Sequence, residues 1–506
     1  MSTTTAEAMR SDVPAPPVPA SDVPPPFPPP PPQDDLKKRA IRGSVVSLLG
    51  KFTEQTVRFI SNLALTRLLF PEAFGVMGLV VTVLVGLEML SDLGVRISVI
   101  TSRREDDDFL DTAWTISVLR GFALWAAGWA FAVPFANFYH EPSLKLMVPV
   151  AAFSAVLQGA KSCKMYVLSR NIHVGRLAAI ELSAQTVGSA LMIVLAALLH
   201  STWALVIGSV AMTFITCVLS HVAIPGRRDR FRWDKAAARE IMNLGGWIFI
   251  STVLTFLAMR IDILLLGKLV PKAMLGVYNI ASGLSGLPQM AGSQIIGWVL
   301  LPALASAYRR NHEALASTFA RARSAIMPAG GFICLGVALG SPVLFYALFD
   351  VRYRDAAWMT PILMLGAWFN FLQEASSRAL QAMGTARPLA AANASKLVAT
   401  VIGCEVGYWL FGVPGFILGA AMGALAGHAV TVAMLVRAGM PAGRSDVGYT
   451  VVGVLLATFG VGAPIALERW LGWHRMPVAI ITAALILAPT GLWTLQRLKA
   501  AKSATA

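Results

Sequence analysis

Residues 74–100 read FGVMGLVVTVLVGLEMLSDLGVRISVI, a run that is long and apolar enough to cross a lipid bilayer as a helix. Glu88, Asp92 and Arg96 interrupt it at intervals of four residues, so they share one helical face. A charge in hydrocarbon is costly unless it faces a protein interior or a water-filled path. The stretch therefore predicts a membrane helix whose polar face is turned towards other helices.

The composition of the whole chain is that of a polytopic membrane protein. Of its 506 residues, 56% are hydrophobic and only 14% are charged, and the mean hydropathy is +0.65; soluble domains carry about 25% charged residues. The net charge of +15 comes from Lys and Arg in short segments between apolar runs. This pattern favours membrane topology over nucleic acid binding. We expect the four isolated cysteines to be buried free thiols: Cys163, Cys217, Cys334 and Cys404.

Apolar runs of roughly 20 residues have the length that crosses about 30 Å of hydrocarbon. They lie near residues 44–66, 74–99, 113–138, 144–165, 177–199, 203–223, 244–267, 273–303, 325–349, 358–383, 388–411, 413–436, 448–468 and 476–496. They predict an all-α protein with about 14 transmembrane helices and only short loops. Basic residues fall in alternate connections, including the cluster RRDRFRWDK at 227–235 and the pair Arg321 and Arg323. The opposite loops carry little net charge: HEPS at 140–143, HST at 200–202, and VRYRD at 351–355, whose two arginines and one aspartate sum to +1. The positive-inside rule then places both termini in the cytoplasm.

The chain contains an internal repeat. RLLFPEAFGVM (67–77) and KLVPKAMLGVY (268–278) align over their whole length, with Gly75 matching Gly276 at an offset of 201 residues. Each copy joins the first and second helix of a half, and six helices separate the copies, so both halves enter the membrane in the same direction. Parallel repeats of this kind carry their site between the halves.

The same motifs resemble a known family. LTRLLFPEAFGVMGL, LSDLGVRISVI followed by DTAWTISVLRG, and RIDILLLGKLVPKAMLGVYNIASGLSGLPQ are similar to the polysaccharide-transporter (O-antigen and exopolysaccharide) flippases, whose superfamily also holds multidrug and toxin extruders. The likeness runs from about Gly43 to Met440. It implies export of an undecaprenyl-diphosphate-linked oligosaccharide by alternating access in the bacterial inner membrane, for exopolysaccharide or lipopolysaccharide. A polysaccharide polymerase and chain-length proteins are further partners to expect, and no cofactor is implied.

We therefore divide the chain into five parts. The Pro-rich start, with PPPFPPPPPQDD, cannot bury a core and is expected to be a disordered cytoplasmic tail, or alternatively a ligand for a proline-binding domain. The resemblance implies two six-helix lobes with two helices appended. The parts are the tail at 1–42, the N-terminal lobe at 43–225, a basic cytoplasmic linker at 226–243, the C-terminal lobe at 244–440, and two additional helices with a short tail at 441–506.

Basic residues inside the predicted spans are candidates for the substrate site. They outnumber the carboxylates that we place at similar depth, and surplus positive charge in a cavity suits an anion such as a pyrophosphate. Snorkelling or unseen pairing is the alternative reading. The candidates for the pyrophosphate-binding cavity are Lys51, Arg58, Arg120, Arg260, Arg378 and Lys396.

Three carboxylates are candidates for ion coupling: Glu88, Asp92 and Glu374. Counting 1.5 Å per residue predicts that Asp92 lies near Lys51 and Glu88 near Arg58, across the interior of the first lobe. The same count matches Glu374 in depth with Lys396. Such pairs can take up protons during transport, or they can simply hold the bundle together.

Two glycine patterns concern helix packing. Gly415, Gly419, Gly423 and Gly427 form a smooth ridge that permits close approach of another helix. In the eighth predicted helix, Pro288 among several glycines permits bending, which a rocking transporter could use.

Missing motifs narrow the function. The chain has no G-x-x-x-x-G-K-[ST] nucleotide loop and no H-E-x-x-H metal motif. A cation-coupled multidrug extruder of the same fold is the main alternative, although it would favour an acidic or aromatic cavity. A membrane glycosyltransferase or polymerase would be expected to need a sizeable outer loop, so we predict that the protein is not an enzyme.

Overall fold

The computed structural model describes residues 33–90, 95, 98–99, 106–170, 174–224, 228–243, 248–384, 387–440, 442–471 and 474–503. In these residues every regular element is a helix, which confirms the all-α prediction. Asp92, Arg96 and residues 1–32 of the predicted tail lie outside the described residues. The first helix begins at Gln33, so the last ten residues of the expected tail are helical; acidic residues at a helix start and lysines within it favour that extension.

The first part of the chain forms eight described helices. They are α1 (Gln33–Leu68), α2 (Pro71–Leu90), α3 (Asp107–Tyr139), α4 (Leu144–Gly159), α5 (Lys164–Arg170), α6 (Val174–Leu199), α7 (Trp203–Val222) and α8 (Lys235–Asn243).

The remaining described helices are α9 (Ile248–Leu269), α10 (Lys272–Ile295), α11 (Leu301–Tyr308), α12 (His312–Ala347), α13 (Ala356–Ala382), α14 (Arg387–Arg437), α15 (Arg444–Leu471) and α16 (Arg475–Ser503). A π-helical turn at Ile296–Leu300 connects α10 to α11. A short 3-10 turn at Val351–Tyr353 lies between α12 and α13.

Each predicted span overlaps one of these helices. Eight helices of the described chain are long and apolar enough to cross a membrane, so the protein is a multi-pass membrane protein. The exact number of crossings stays a prediction, because shorter helices such as α4 fall below that length.

α14 contains two of the predicted spans, and Gly412 divides it. Gly412 has φ 65° and ψ −143°, a conformation that glycine adopts without steric cost. The chain reverses there, and the glycine ridge lies against the preceding span: a Cβ on Gly419 would stand 2.0 Å from the Gly403 carbonyl oxygen, and one on Gly415 2.0 Å from that of Gly407. This confirms that the ridge serves close packing.

The internal repeat forms the contact between the two halves. A Cβ on Gly75 of α2 would lie 2.0 Å from the carbonyl oxygen of Lys272, and a Cβ on Gly276 of α10 would lie 1.8 Å from that of Pro71. Pro71 and Lys272 are themselves equivalent at the offset of 201 residues. Such reciprocal contacts are what a two-fold axis produces. The structure therefore shows the two copies meeting around a pseudo-two-fold axis.

One face of α10 contacts the first half along only part of its length. Gly276 and Asn279 on this face touch α2, and the Asn279 side chain donates to the carbonyl oxygen of Phe74 at 3.1 Å. Further along the same face, at helical spacing, Gly283, Gly286 and Met290 are exposed. Six hydrogen bonds join described residues of the two halves at the end that holds the α1–α2 connection. We call it the closed end; the charge bias predicts that it faces outside.

Candidate functional site

The first cluster of candidate residues lies on α1. The Lys51 ammonium contacts Glu54 at 2.8 Å and Glu181 of α6 at 3.0 Å, and Arg58 lies 3.6 Å from Glu54. Glu181 is not among the candidates predicted from the sequence, although a glutamate inside an apolar run is a usable signal. The surplus of cations in the first half is therefore smaller than predicted.

Glu88 contacts residues of α3 and α4. Gln158 of α4 donates to its carboxylate, and Arg120 of α3 donates to its backbone carbonyl at 2.9 Å. The predicted approach of Glu88 to Arg58 is wrong, because α1 packs on α6 while α2 packs on α4 and on the second half. Counting residues along a helix predicts how deep a side chain lies in the membrane, but it does not predict which neighbouring helix the side chain faces.

The second half encloses a polar cavity of about 220 Å³. Lys396 of α14 donates to the Asn370 amide oxygen at 2.7 Å, and Tyr278 of α10 donates to the Asp262 carboxylate at 2.6 Å. The Thr400 hydroxyl is buried and has no hydrogen-bond partner among the described residues. The cavity thus combines an ammonium, a carboxylate and neutral polar groups, including Ser282, Ser285 and Gln289 in its lining.

Glu374 does not pair with Lys396 as the depth count predicted. Its carboxylate binds the guanidinium of Arg378, one turn further along α13, and Arg378 also donates to Gln381 at 2.9 Å. The residue at i+4 on the same helix face is the nearer partner. Arg260 forms no hydrogen bond or ion pair with another described residue.

A buried ionic cluster in the second half was missed by the sequence analysis. Arg323 of α12 binds Asp446 of α15 and donates to the Ser376 hydroxyl at 2.8 Å, while His428 Nε2 lies 3.1 Å from Asp446. The predicted span began at residue 325, and Arg323 was counted as a cytoplasmic charge. α12 in fact begins at His312, which carries Arg323 into the bundle.

Tyrosine hydroxyls secure the closed end from both sides. Tyr139, at the end of α3, donates across the boundary to the Leu264 carbonyl oxygen of α9 at 2.9 Å. Tyr353, before α13, donates to the Leu69 carbonyl oxygen after α1 at 3.1 Å. Each half therefore holds the end of the other half's first helix, and we call these two contacts the tyrosine latches.

Basic side chains reinforce the tyrosine latches. Arg352 donates to the carbonyl oxygens of Thr66 and Arg67 at 3.4 and 3.2 Å, and Arg67 donates to that of Leu348 at 3.1 Å. Hydrogen bonds from Arg352 lower the pKa of the Asp350 carboxyl, so this pair stays charged at neutral pH. The C-terminal carbonyls of α1 are thus capped by the other half.

We expect the double variant Tyr139→Phe, Tyr353→Phe to open the closed end. Each lost hydrogen bond contributes about 0.5–1.5 kcal/mol, so the open population should rise roughly tenfold or more. The measurement is labelling of Gly283→Cys, in a background without the four native cysteines, by an impermeant thiol reagent added from outside. Gly283 suits the cysteine because nothing lies within 4 Å of the added side chain.

Tyr408→Phe is the matched control for the tyrosine latches. Its hydroxyl donates to the Leu269 carbonyl oxygen at 3.0 Å, which is the same chemistry but lies within the second half. Its loss should not change outside labelling. Equal labelling of the double variant and the wild type would contradict a latching role.

An apolar groove runs beside the polar cavity. One part of about 470 Å³ lies between α12, α13 and α15, and an adjoining part of about 620 Å³ lies between α12, α15 and α16. Both parts share Gly331, Leu335, Tyr449 and Gly453 in their lining. The appended helices therefore add an apolar surface to the second half.

Comparison of sequences identifies similar proteins. Residues 64–349 match a family model described as polysaccharide biosynthesis protein. Teichuronic acid biosynthesis protein TuaB of Bacillus subtilis is 19% identical over 59% of this chain and 62% of its own length. Lipopolysaccharide biosynthesis protein WzxC of Escherichia coli is 19% identical over 53% of this chain and 55% of its own length. Succinoglycan biosynthesis transport protein ExoT of Rhizobium meliloti is 19% identical over 52% of this chain and 53% of its own length. The chain thus spans less than two thirds of these three relatives.

Solved structures show the same fold. The lipid II flippase MurJ in an inward closed conformation superposes with a TM-score of 0.57 and 13% identity, covering 92% of this chain and 99% of MurJ. An inward-facing multidrug resistance MATE transporter gives a TM-score of 0.56 and 16% identity, covering 76% of this chain and 98% of the MATE chain. These likenesses show that the chain shares the helical fold of these two proteins.

Proposed function

Because the chain belongs to the polysaccharide biosynthesis protein family, we propose that it is a flippase that moves undecaprenyl-diphosphate-linked oligosaccharides across the bacterial inner membrane for surface polysaccharide assembly. Its relatives are named for lipopolysaccharide biosynthesis, succinoglycan biosynthesis transport and flipping of lipid II. These names favour a substrate that joins a saccharide to a lipid.

The arrangement around α13 is the observation that carries this proposal. One side of α13, with Gly366 and Asn370, lines the polar cavity, and the other side, with Leu365 and Trp368, lines the apolar groove. A substrate with a sugar diphosphate head and a hydrocarbon tail needs both kinds of surface within reach. A purely polar sugar or a small apolar drug would need only one.

Alternating access follows from the way the halves meet. The closed end seals the boundary between the halves, while the α10 face beyond Asn279 is exposed. In the proposed cycle the head group enters between the halves from the cytoplasmic end, and the tyrosine latches then release. Both termini are placed in the cytoplasm by the charge bias, and Glu88, Asp92 and Glu374 remain proposed coupling groups.

Within the proposed substrate site, Lys396 is the cation best placed to receive a phosphate. Its hydrogen-bond partner is the neutral Asn370 amide, which leaves ammonium hydrogens for an anion. Among the candidate cations of the second half, Arg260 also has no ion-pair partner among the described residues. Lys51, Arg58 and Arg378 contact glutamates, so their part in the site requires that those pairs open during the cycle.

We expect Lys396→Ala to lower transport at least tenfold, because a charge-assisted hydrogen bond contributes about 1.5–3 kcal/mol. Lys396→Arg should keep part of the activity, since the charge remains. The measurement is the transfer of a prenyl-diphosphate oligosaccharide across proteoliposome membranes. Arg321→Ala, an exposed basic residue of α12, is the control and should transport normally.

Full transport by Lys396→Ala would remove the cavity from the substrate site. A different result would identify a multidrug extruder. In that case the wild-type protein would export a cationic dye but not the oligosaccharide, and Asp262→Asn would lose the export of the dye. The two substrates can be compared in the same vesicles.

A further inference from the structure

An extended segment of the linker is held along the start of α3. Three alternate backbone N–H groups donate to side chains of that helix: Arg230 to Asp111 at 2.9 Å, Arg232 to Thr115 at 3.1 Å, and Asp234 to Thr112 at 3.0 Å. We call residues 228–235 the basic strap. Its backbone path is fixed by these bonds, so its side chains stand at defined positions.

The carboxylates of the basic strap are used inside the protein. The Asp229 side chain is only 4% exposed, accepts a hydrogen bond from Ser162 at 2.6 Å and lies 3.8 Å from His221. Asp234 accepts from the backbone N–H groups of Ala236 and Ala237 and caps α8. Acidic and basic residues alternate along the basic strap, but both of its carboxylates are engaged inside the protein. Its outward face therefore presents no free carboxylate of the strap.

That outward face is basic and aromatic. Phe231 and Trp233 are 68% and 53% exposed, and Phe231 packs on Trp114 of α3 with ring centroids 4.7 Å apart. Arg232 is neutralised by Asp108 at 2.6 Å. The exposed basic residues of the strap without an ion-pair partner among the described residues are Arg228, Arg230 and Lys235.

The height of the basic strap is that of lipid head groups. α3 has 33 residues, about 50 Å of helix, against about 30 Å of hydrocarbon. Asp111 and Thr115 lie in its first turns and therefore near one membrane surface. Tryptophan and basic residues at this level are typical of contact with the interface, and anionic lipids attract such clusters.

We propose that the basic strap binds anionic phospholipid head groups of the leaflet that the charge bias predicts to be cytoplasmic. Arg228, Arg230 and Lys235 contact the phosphates, while Phe231 and Trp233 lie among the glycerol and upper acyl groups. The site is distinct from the proposed substrate cavity and does not depend on what the protein transports. Its ligand is the surrounding membrane lipid.

The test compares two triple variants of the full-length protein. Arg228→Gln, Arg230→Gln, Lys235→Gln removes the charges of the strap, and Arg309→Gln, Arg310→Gln, Arg321→Gln removes three other exposed charges of the predicted cytoplasmic side. Native mass spectrometry and thermal unfolding measure the binding of phosphatidylglycerol against phosphatidylcholine in detergent. We expect the strap variant to lose roughly tenfold or more in phosphatidylglycerol affinity, and the control variant to lose little.

Added salt should weaken phosphatidylglycerol binding by the wild type but not by the strap variant. Equal phosphatidylglycerol binding by the strap variant and the wild type would overturn the proposal. Preferential binding of a soluble polyglutamate peptide, with no preference between the two lipids, would also overturn it, because the surface would then serve an acidic protein.

Discussion

Gly276→Val should lower transport strongly, whereas Gly283→Val, on the same face of α10, should leave it nearly unchanged. A Cβ at Gly276 would lie 1.8 Å from the carbonyl oxygen of Pro71 and 3.0 Å from the Gly75 nitrogen. These are backbone atoms, so only separation of α2 and α10 relieves the clash. At Gly283 nothing lies within 4 Å of the added atom. We therefore expect the closed end to fail to form in Gly276→Val and to form normally in Gly283→Val.

Two measurements check this expectation. Transport in proteoliposomes should fall by roughly an order of magnitude or more, since overpacking of a close contact costs about 1–3 kcal/mol even where side chains can adjust. A cysteine at Gly286 should become reactive from outside in Gly276→Val and stay unreactive in Gly283→Val. Normal transport with Gly276→Val would mean that the closed end is not an obligatory state of the cycle.

Asp446→Ala should destabilise the protein by about 3–5 kcal/mol, the cost of leaving a buried charge without its partner. Arg323 and Asp446 are each only 4% exposed, and the Arg323 guanidinium has no other carboxylate partner among the described residues. The expected result is a lower unfolding temperature in detergent and less accumulation in the membrane.

The double variant Arg323→Met, Asp446→Leu separates charge from packing. Replacing both partners with apolar residues of similar size removes the unpaired charge, and stability should largely return. Arg321→Ala, two residues away and exposed, should have little effect. If Asp446→Ala unfolds at the wild-type temperature, the cluster does not hold α15 to the bundle.

Hydropathy and repeat matching predicted much of the fold from sequence. The division between the predicted spans 388–411 and 413–436 falls on Gly412, where the structure reverses the chain. The 201-residue offset identified glycines that meet across the axis. Hydropathy depends on residues close together in sequence, and the repeat depends on a fixed offset. Both can therefore be read without knowing which helices are neighbours.

The pairing of charges could not be predicted in the same way. Residue counts placed Glu88 and Arg58 at one depth, yet they lie on helices with different partners. The position of Glu374 shows the same limit, since Arg378 one turn along α13 is closer than Lys396 on another helix. Helix neighbours depend on packing of whole surfaces, which a single sequence does not reveal.

Attachment of the linker to α3 limits how far the halves can move apart. Ala237, Ala238 and Ile241 of α8 are buried in a cluster with Phe109 and Ala113 of α3, so the chain up to Ile241 belongs mechanically to the first half. The next described helix, α9 of the second half, begins at Ile248. Seven residues of extended chain reach at most about 25 Å. The length of this connection therefore places an upper limit on how far the two halves can separate at the end that the charge bias predicts to be cytoplasmic.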